Sequence, residues 1–186
     1  MSAHPEEFQS DCRDRSACVM PDITLLPLDQ PAAEALAANP EAFAQEHQIT
    51  FGPSWPAIVD IAAQTARFLA RSEPRWPWGS YLVVEGETRR LVGVCGFKGN
   101  PDDELAVEIA YYTFPDEEGR GVATAVAAAM VKLASDAMPP PRVVRAHTLP
   151  EVNASGRVLA KVGFQRLGEV IDPEDGLVWR WERTPS

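Results

Sequence analysis

Residues 105–124 read Leu-Ala-Val-Glu-Ile-Ala-Tyr-Tyr-Thr-Phe-Pro-Asp-Glu-Glu-Gly-Arg-Gly-Val-Ala-Thr. The first half alternates, with Val107, Ile109 and Tyr111 against Glu108, Ala110 and Tyr112, and predicts a strand over Leu105–Phe114. The second half is a glycine loop, Glu118-Gly119-Arg120-Gly121, running into a helix predicted over Gly121–Ala137. Val122, Val126, Met130 and Leu133 form that helix's apolar stripe, and alanines fill much of the rest. Glycines let backbone approach a ligand closely. The first turn of a helix offers unpaired N–H groups and the positive end of its dipole, which together suit a phosphate. A plain turn would use the same two glycines. No Gly-Lys-Ser or Gly-Lys-Thr ends the loop and the third glycine of a dinucleotide fingerprint is missing, so both of those nucleotide-binding loops are excluded.

Working outward, Tyr81–Val84 and Arg90–Phe97 read as strands joined by the turn Glu85-Gly86-Glu87-Thr88. Downstream, Met138-Pro139-Pro140-Pro141 stops the long helix, and Val143–His147 reads as a short strand. Asn153–Val162 reads as a helix ended by Gly163. Phe164–Val170 and Leu177–Glu182 pair around Asp172-Pro173-Glu174-Asp175-Gly176. From Tyr81 onward the order is thus β-β-β-α-β-α-β-β. Upstream come a strand at Ile23–Leu26, helices over Pro31–Ala38 and Pro40–His47, and a longer helix over Pro56–Arg71. Pro74 and Pro77 keep Ser72–Gly79 irregular. Trp55, Trp76 and Trp78 either wall a ligand pocket or pack the early helices on the sheet. Residues 1–20 lack periodicity and read as a disordered tail, leaving 21–186 as one domain of the α/β (α+β) class.

The 186 residues suffice for one sizeable core. Lys plus Arg is 17 against 27 Asp plus Glu, a net charge of −10, which argues against nucleic acid as a partner. That acidity could draw a cationic amine, and it also serves solubility. Cys12, Cys18 and Cys95 are odd in number and lack metal-ligand spacing, so neither a disulfide framework nor a metal site is expected. No apolar run approaches the roughly 20 residues that span a bilayer, and the polar start is no signal peptide. A cytoplasmic location away from membranes follows as the expectation.

The run Glu108-Ile109-Ala110-Tyr111-Tyr112, Pro115 and Gly119-Arg120-Gly121-Val122-Ala123-Thr124 resembles the acetyl-coenzyme A loop of the GNAT superfamily of N-acetyltransferases. Pro150-Glu151, Asn153-Ala154-Ser155, Arg157-Val158-Leu159 and Lys161-Val162-Gly163-Phe164 resemble that superfamily's later motif, in the version of the ribosomal-protein-alanine acetyltransferase branch. The resemblance spans Tyr81 to Arg183. It implies a mixed, mostly antiparallel sheet of six to seven strands flanked by helices. It also implies acetyl-coenzyme A as cosubstrate, an amine acceptor (a small molecule or a protein N-terminus), and a homodimer as a compatible assembly.

By the same resemblance, Tyr111, Tyr112, Thr113, Glu118, Gly119, Arg120, Gly121, Val122, Ala123, Thr124, Asn153, Ser155 and Arg157 are the candidate coenzyme-binding residues. Glu108 is the candidate base and Ser155 the candidate proton donor to the leaving thiolate, with Tyr112 in reserve. A backbone N–H near Tyr112 or Thr113 would polarise the thioester. Structural readings stand beside these: a salt-bridged Glu108, a helix-capping Ser155, and solvated surface charges for Arg120 and Arg157. Three departures stand out. Glu118 replaces the usual Arg or Gln at the start of the loop, Ala125 replaces a frequent Glu, and Leu159 replaces a Tyr that many members use as general acid. Binding through backbone N–H groups survives the first, and the other two give weight to a second reading, a non-catalytic acyl-coenzyme A sensor. Phe97 and Lys98 could border the acceptor cleft, and His147 is given no role.

Overall fold

The computed structural model describes residues 20–173 and 175–185. Residues 1–19 of the expected tail, with Cys12 and Cys18, lie outside them. Eight strands form one sheet: β1 (Ile23–Leu28), β2 (Thr50–Phe51), β3 (Ser80–Glu85), β4 (Arg90–Phe97), β5 (Ala106–Thr113), β6 (Val143–Thr148), β7 (Gln165–Asp172) and β8 (Gly176–Arg183). Five helices flank it: α1 (Gln30–Ala38), α2 (Pro40–His47), α3 (Ala57–Ser72), α4 (Val122–Ser135) and α5 (Ala154–Lys161). The spatial order is β1-β3-β4-β5-β6-β8-β7, and β2 pairs with the start of β4. Every pairing is antiparallel except β5–β6 and β2–β4. The sheet therefore exceeds the expected six to seven strands by the two-residue β2, which is too short to carry an alternation.

The sheet is covered on both faces, which explains why β3 is a continuous apolar run. Tyr81, Leu82, Val83 and Val84 are all buried. Tyr81 and Val83 join the core beneath α4 and α5, with Val107, Ile109, Val126, Met130 and Leu159. Leu82 and Val84 join the core beneath the first three helices, with Leu36, Phe43, Ile58 and Ala62. Trp78 is buried edge-on against Phe97, Trp55 stacks on Phe51, and Trp76 is exposed. Side-chain oxygens cap three helices: the Asp29 carboxylate accepts from Ala32 N, and the Asn39 and Asn153 carbonyls accept from Ala42 N and Gly156 N. Each such cap contributes about 1 kcal/mol. Among the described residues no helix is long and apolar enough to cross a membrane.

One topological feature positions the site. The parallel ladder between β5 and β6 covers only Ala106–Glu108 against Val143–Arg145, although both strands continue beyond it. Past Glu108 they part, and a gap opens in the middle of the sheet.

Candidate active site

Three cavities meet around Tyr111. A cleft of about 430 Å³ runs between the glycine loop and α5, lined by Tyr111, Tyr112, Thr113, Glu118, Gly119, Gly121 and the first residues of α4 and α5. A cavity of about 520 Å³ lies between α3 and strands β4 and β5. A smaller one of about 180 Å³ is lined by Lys98, Glu108, Tyr111, His147, Ser155 and Leu159. Tyr111 borders all three. Its hydroxyl is buried without a hydrogen-bond partner among the described residues, and burial pushes the phenol up to about 12, so it remains protonated at neutral pH.

The glycine loop is shaped for an anion. Gly119 (φ 74°) and Gly121 (φ 84°) both occupy the left-handed region, and a Cβ on Gly119 would enter open space. Gly121 is the N-cap of α4 and supplies no side-chain cap, so the N–H groups of Val122, Ala123 and Thr124 have no partner among the described residues. All three residues line the cleft, and Arg157 and Lys161 face it from α5. These features fit a phosphate-bearing ligand: unpaired donors, a helix dipole and two cations. Glu118 is exposed at the same loop, as its position beside a phosphate demands if it is to turn away.

Two expected ligands stand elsewhere. The Arg120 guanidinium is taken up by Glu85, at 2.6 Å, and by Glu117, and Arg120 does not line the cleft. Glu117 is only 2% exposed, and Arg90 also contacts it, at 2.9 Å. Arg120 thus ties the loop to the β3–β4 hairpin instead of meeting phosphate. Asn153 also lies outside the cleft lining, with its side-chain carbonyl used to cap α5. That cap leaves Ser155 without a capping duty, exposed at the junction of the cleft and the small cavity. Tyr112 is 42% exposed and borders both the cleft and the larger cavity.

Glu108 ends the β5–β6 ladder, at the mouth of the gap. Its Oε1 contacts Lys98 Nζ at 3.0 Å and His147 Nδ1 at 3.1 Å, and no described residue pairs with Oε2. Burial is the largest influence on Lys98 and pulls its ammonium down. Glu108, Asp175 and Asp172 outweigh it and hold the group above its ordinary value. His147, given no role from sequence, is 9% exposed, lies 3.9 Å from Asp172, and leaves both ring nitrogens without a well-aligned hydrogen bond. Only the register of β6 against β5 brings it to Glu108, so no local signal could have found it. Glu108, His147 and Asp172 offer ligand atoms within 4.8 Å of one another, a set that could hold a divalent cation. Lys98 supplies a positive charge beside the same carboxylate.

The backbone of β5 adds donors. Lys98 N donates to Glu108 O and Phe114 N to Val92 O, so the even-numbered residues of β5 direct their peptide groups to β4. Alternation turns the N–H groups of Tyr111 and Thr113 toward the gap. The expectation of Tyr112 or Thr113 is thereby narrowed, because Tyr112 faces the wrong neighbour.

The sequence matches the Acetyltransferase (GNAT) domain family over residues 22–165. Solved structures with the same fold include an acetyltransferase of that family from Bacillus anthracis, 17% identical, TM-score 0.58, covering 88% of this chain and 95% of that one. A microcin self-immunity acetyltransferase in complex with acetyl-CoA and AMP is 14% identical, TM-score 0.59, covering 88% and 92%. A ribosomal-protein alanine acetyltransferase from Vibrio fischeri is 14% identical, TM-score 0.58, covering 88% and 92%. No curated protein matches the sequence.

Proposed function

Because the chain belongs to the GNAT acetyltransferase family, we propose that it transfers an acetyl group from acetyl-CoA to a primary amine by direct attack. The observation that carries this reading is the small cavity in which Glu108 and Ser155 face the same space, between the coenzyme cleft and the larger cavity. A sensor would need neither a base nor a proton donor at that junction. The structural neighbour bound to acetyl-CoA is consistent with the choice of cosubstrate.

In this scheme the open N–H groups at the start of α4 bind the pyrophosphate, with Arg157 and Lys161 at the cleft. The amine enters from the larger cavity, and Oε2 of Glu108 takes its proton. Lys98 holds Oε1 at 3.0 Å, and His147 Nδ1 packs against the same oxygen. The nitrogen attacks the thioester carbonyl, and the N–H of Tyr111 or Thr113 stabilises the developing oxyanion. Ser155 protonates the departing sulfur. Tyr111, a protonated hydroxyl bordering all three cavities, stands as the alternative donor, and Leu159 offers none.

Calorimetric titration with acetyl-CoA, followed by an amine panel read as free thiol, tests the proposal. Binding with turnover of an amine supports it. Binding without turnover across small amines and peptide N-termini leaves the sensor reading in its place, and absence of binding removes both.

A further inference from the structure

The acceptor cavity has a charge that the chain as a whole does not predict. The protein carries 27 acidic and 17 basic side chains. Yet the described residues lining the 520 Å³ cavity include Arg67, Arg71 and Lys98 and not one carboxylate. Lys98 is partnered by Glu108 and Asp175. Arg67 and Arg71 form no ion pair among the described residues. They stand one turn apart on α3, where Gln64, Phe68 and Arg71 repeat at helical spacing along the face turned to the cavity. Two like charges at that spacing repel each other slightly, and here no carboxylate offsets them. Deeper in, Phe68, Tyr81, Phe97 and Tyr111 supply an apolar wall. Among the described residues lining the large cavity, an amine arriving as a polycation would meet like charge and no carboxylate.

We propose, resting on the acetyltransferase reading above, that the acceptor is a primary amine that also carries an anionic group, a carboxylate or a phosphate. Arg67 and Arg71 bind the anion, the apolar wall takes the body of the molecule, and the amine reaches Glu108 past Lys98 and Ala110, which border both the large and the small cavity. Guanidinium forks suit either oxyanion, because both present paired oxygens to paired N–H donors. Acidity elsewhere on the surface would then discourage anions from binding outside this cavity and the coenzyme cleft.

The test uses the full chain loaded with coenzyme A, which lacks an acetyl group, so that binding is read without turnover. Two matched pairs, each with the anion at the far end of the ring from the amine, are titrated by calorimetry: 4-(2-aminoethyl)benzoate against phenethylamine, and O-phosphotyramine against tyramine. The anionic member of at least one pair should bind roughly 10- to 100-fold more tightly than its partner. The arm that shows the preference distinguishes carboxylate from phosphate. In the double variant Arg67→Gln/Arg71→Gln, both sites exposed, the advantage should vanish while the affinity for coenzyme A is unchanged. Equal or tighter binding of the neutral-tailed amines, retention of the preference in the double variant, or no binding of any of the four overturns the inference. Repeating the amine titrations without coenzyme A keeps the two questions apart. Failure to bind coenzyme A sinks the acetyltransferase reading, whereas loss of anion preference alone sinks only this one.

Discussion

Nδ1 of His147 lies 3.1 Å from Oε1 of Glu108, on the strand that parts from β5 just beyond that glutamate. The imidazole is almost wholly buried, and Asp172 Oδ2 lies 3.9 Å from the same nitrogen. The contact packs against one carboxylate oxygen, and no described residue pairs with the other. His147→Asn should therefore lower kcat by about tenfold through loss of alignment, with KM for acetyl-CoA unchanged. Steady-state kinetics on the amine that the panel identifies provide the check.

The base itself should matter more. Glu108→Gln keeps the shape and loses the proton acceptor, so turnover should fall by about 10²–10⁴-fold. Calorimetry should show coenzyme binding intact. Undiminished turnover would exclude Glu108.

Ser155 is free because Asn153 caps α5. Ser155→Ala should reduce kcat by roughly tenfold or more, without weakening the helix or the affinity for acetyl-CoA. If kcat is unchanged and Tyr111→Phe lowers it instead, the proton comes from the buried phenol.

The phosphate cradle can be closed by one side chain. Gly121→Glu sets a carboxylate and a strained left-handed residue (φ 84°) at the N-terminus of α4. Acetyl-CoA affinity should fall by at least about 100-fold, the upper part of the range for losing one charge-assisted hydrogen bond. Thermal unfolding of the same variant shows whether the fold survives.

Glu85 links the hairpin to the loop. The Thr88 hydroxyl, at 2.8 Å, is the main influence holding its carboxyl below the ordinary value. Burial works against this, and Arg120 and Arg90 add to the lowering. A lowered folded value means that the stabilisation is present above the range in which an unfolded glutamate titrates, about pH 4–5. It is lost as pH falls through the folded value. Glu85→Gln should thus lower Tm at pH 7 and converge on the unmodified protein in acid. Scanning calorimetry across that range gives the comparison, and a difference that persists at the lowest pH would contradict it.

The elements were legible because their signals are local. Alternation in Val107–Tyr112 and the three-and-four spacing in Ile58–Leu69 each repeat within one element, and Pro and Gly mark most of the ends. The boundaries of β5 moved inward because Leu105 takes a left-handed conformation and Phe114 opens a short 3-10 turn. The pair Thr50–Phe51 passed unseen, since two residues carry no period. The glycine loop, Glu108 and Ser155 could be named because they sit at fixed offsets within two contiguous motifs.

The sequence by itself determined the order of strands and helices, the family, and the chain segments from which the site is made. The tertiary structure decided which charges meet. Arg120 turns to Glu85 and Glu117, His147 reaches Glu108, and two arginines face a cavity without a carboxylate in a strongly acidic chain. Those contacts depend on strand register and on how α3 lies across the sheet. Both are settled by packing between residues far apart in the chain, and no local pattern of residues records them.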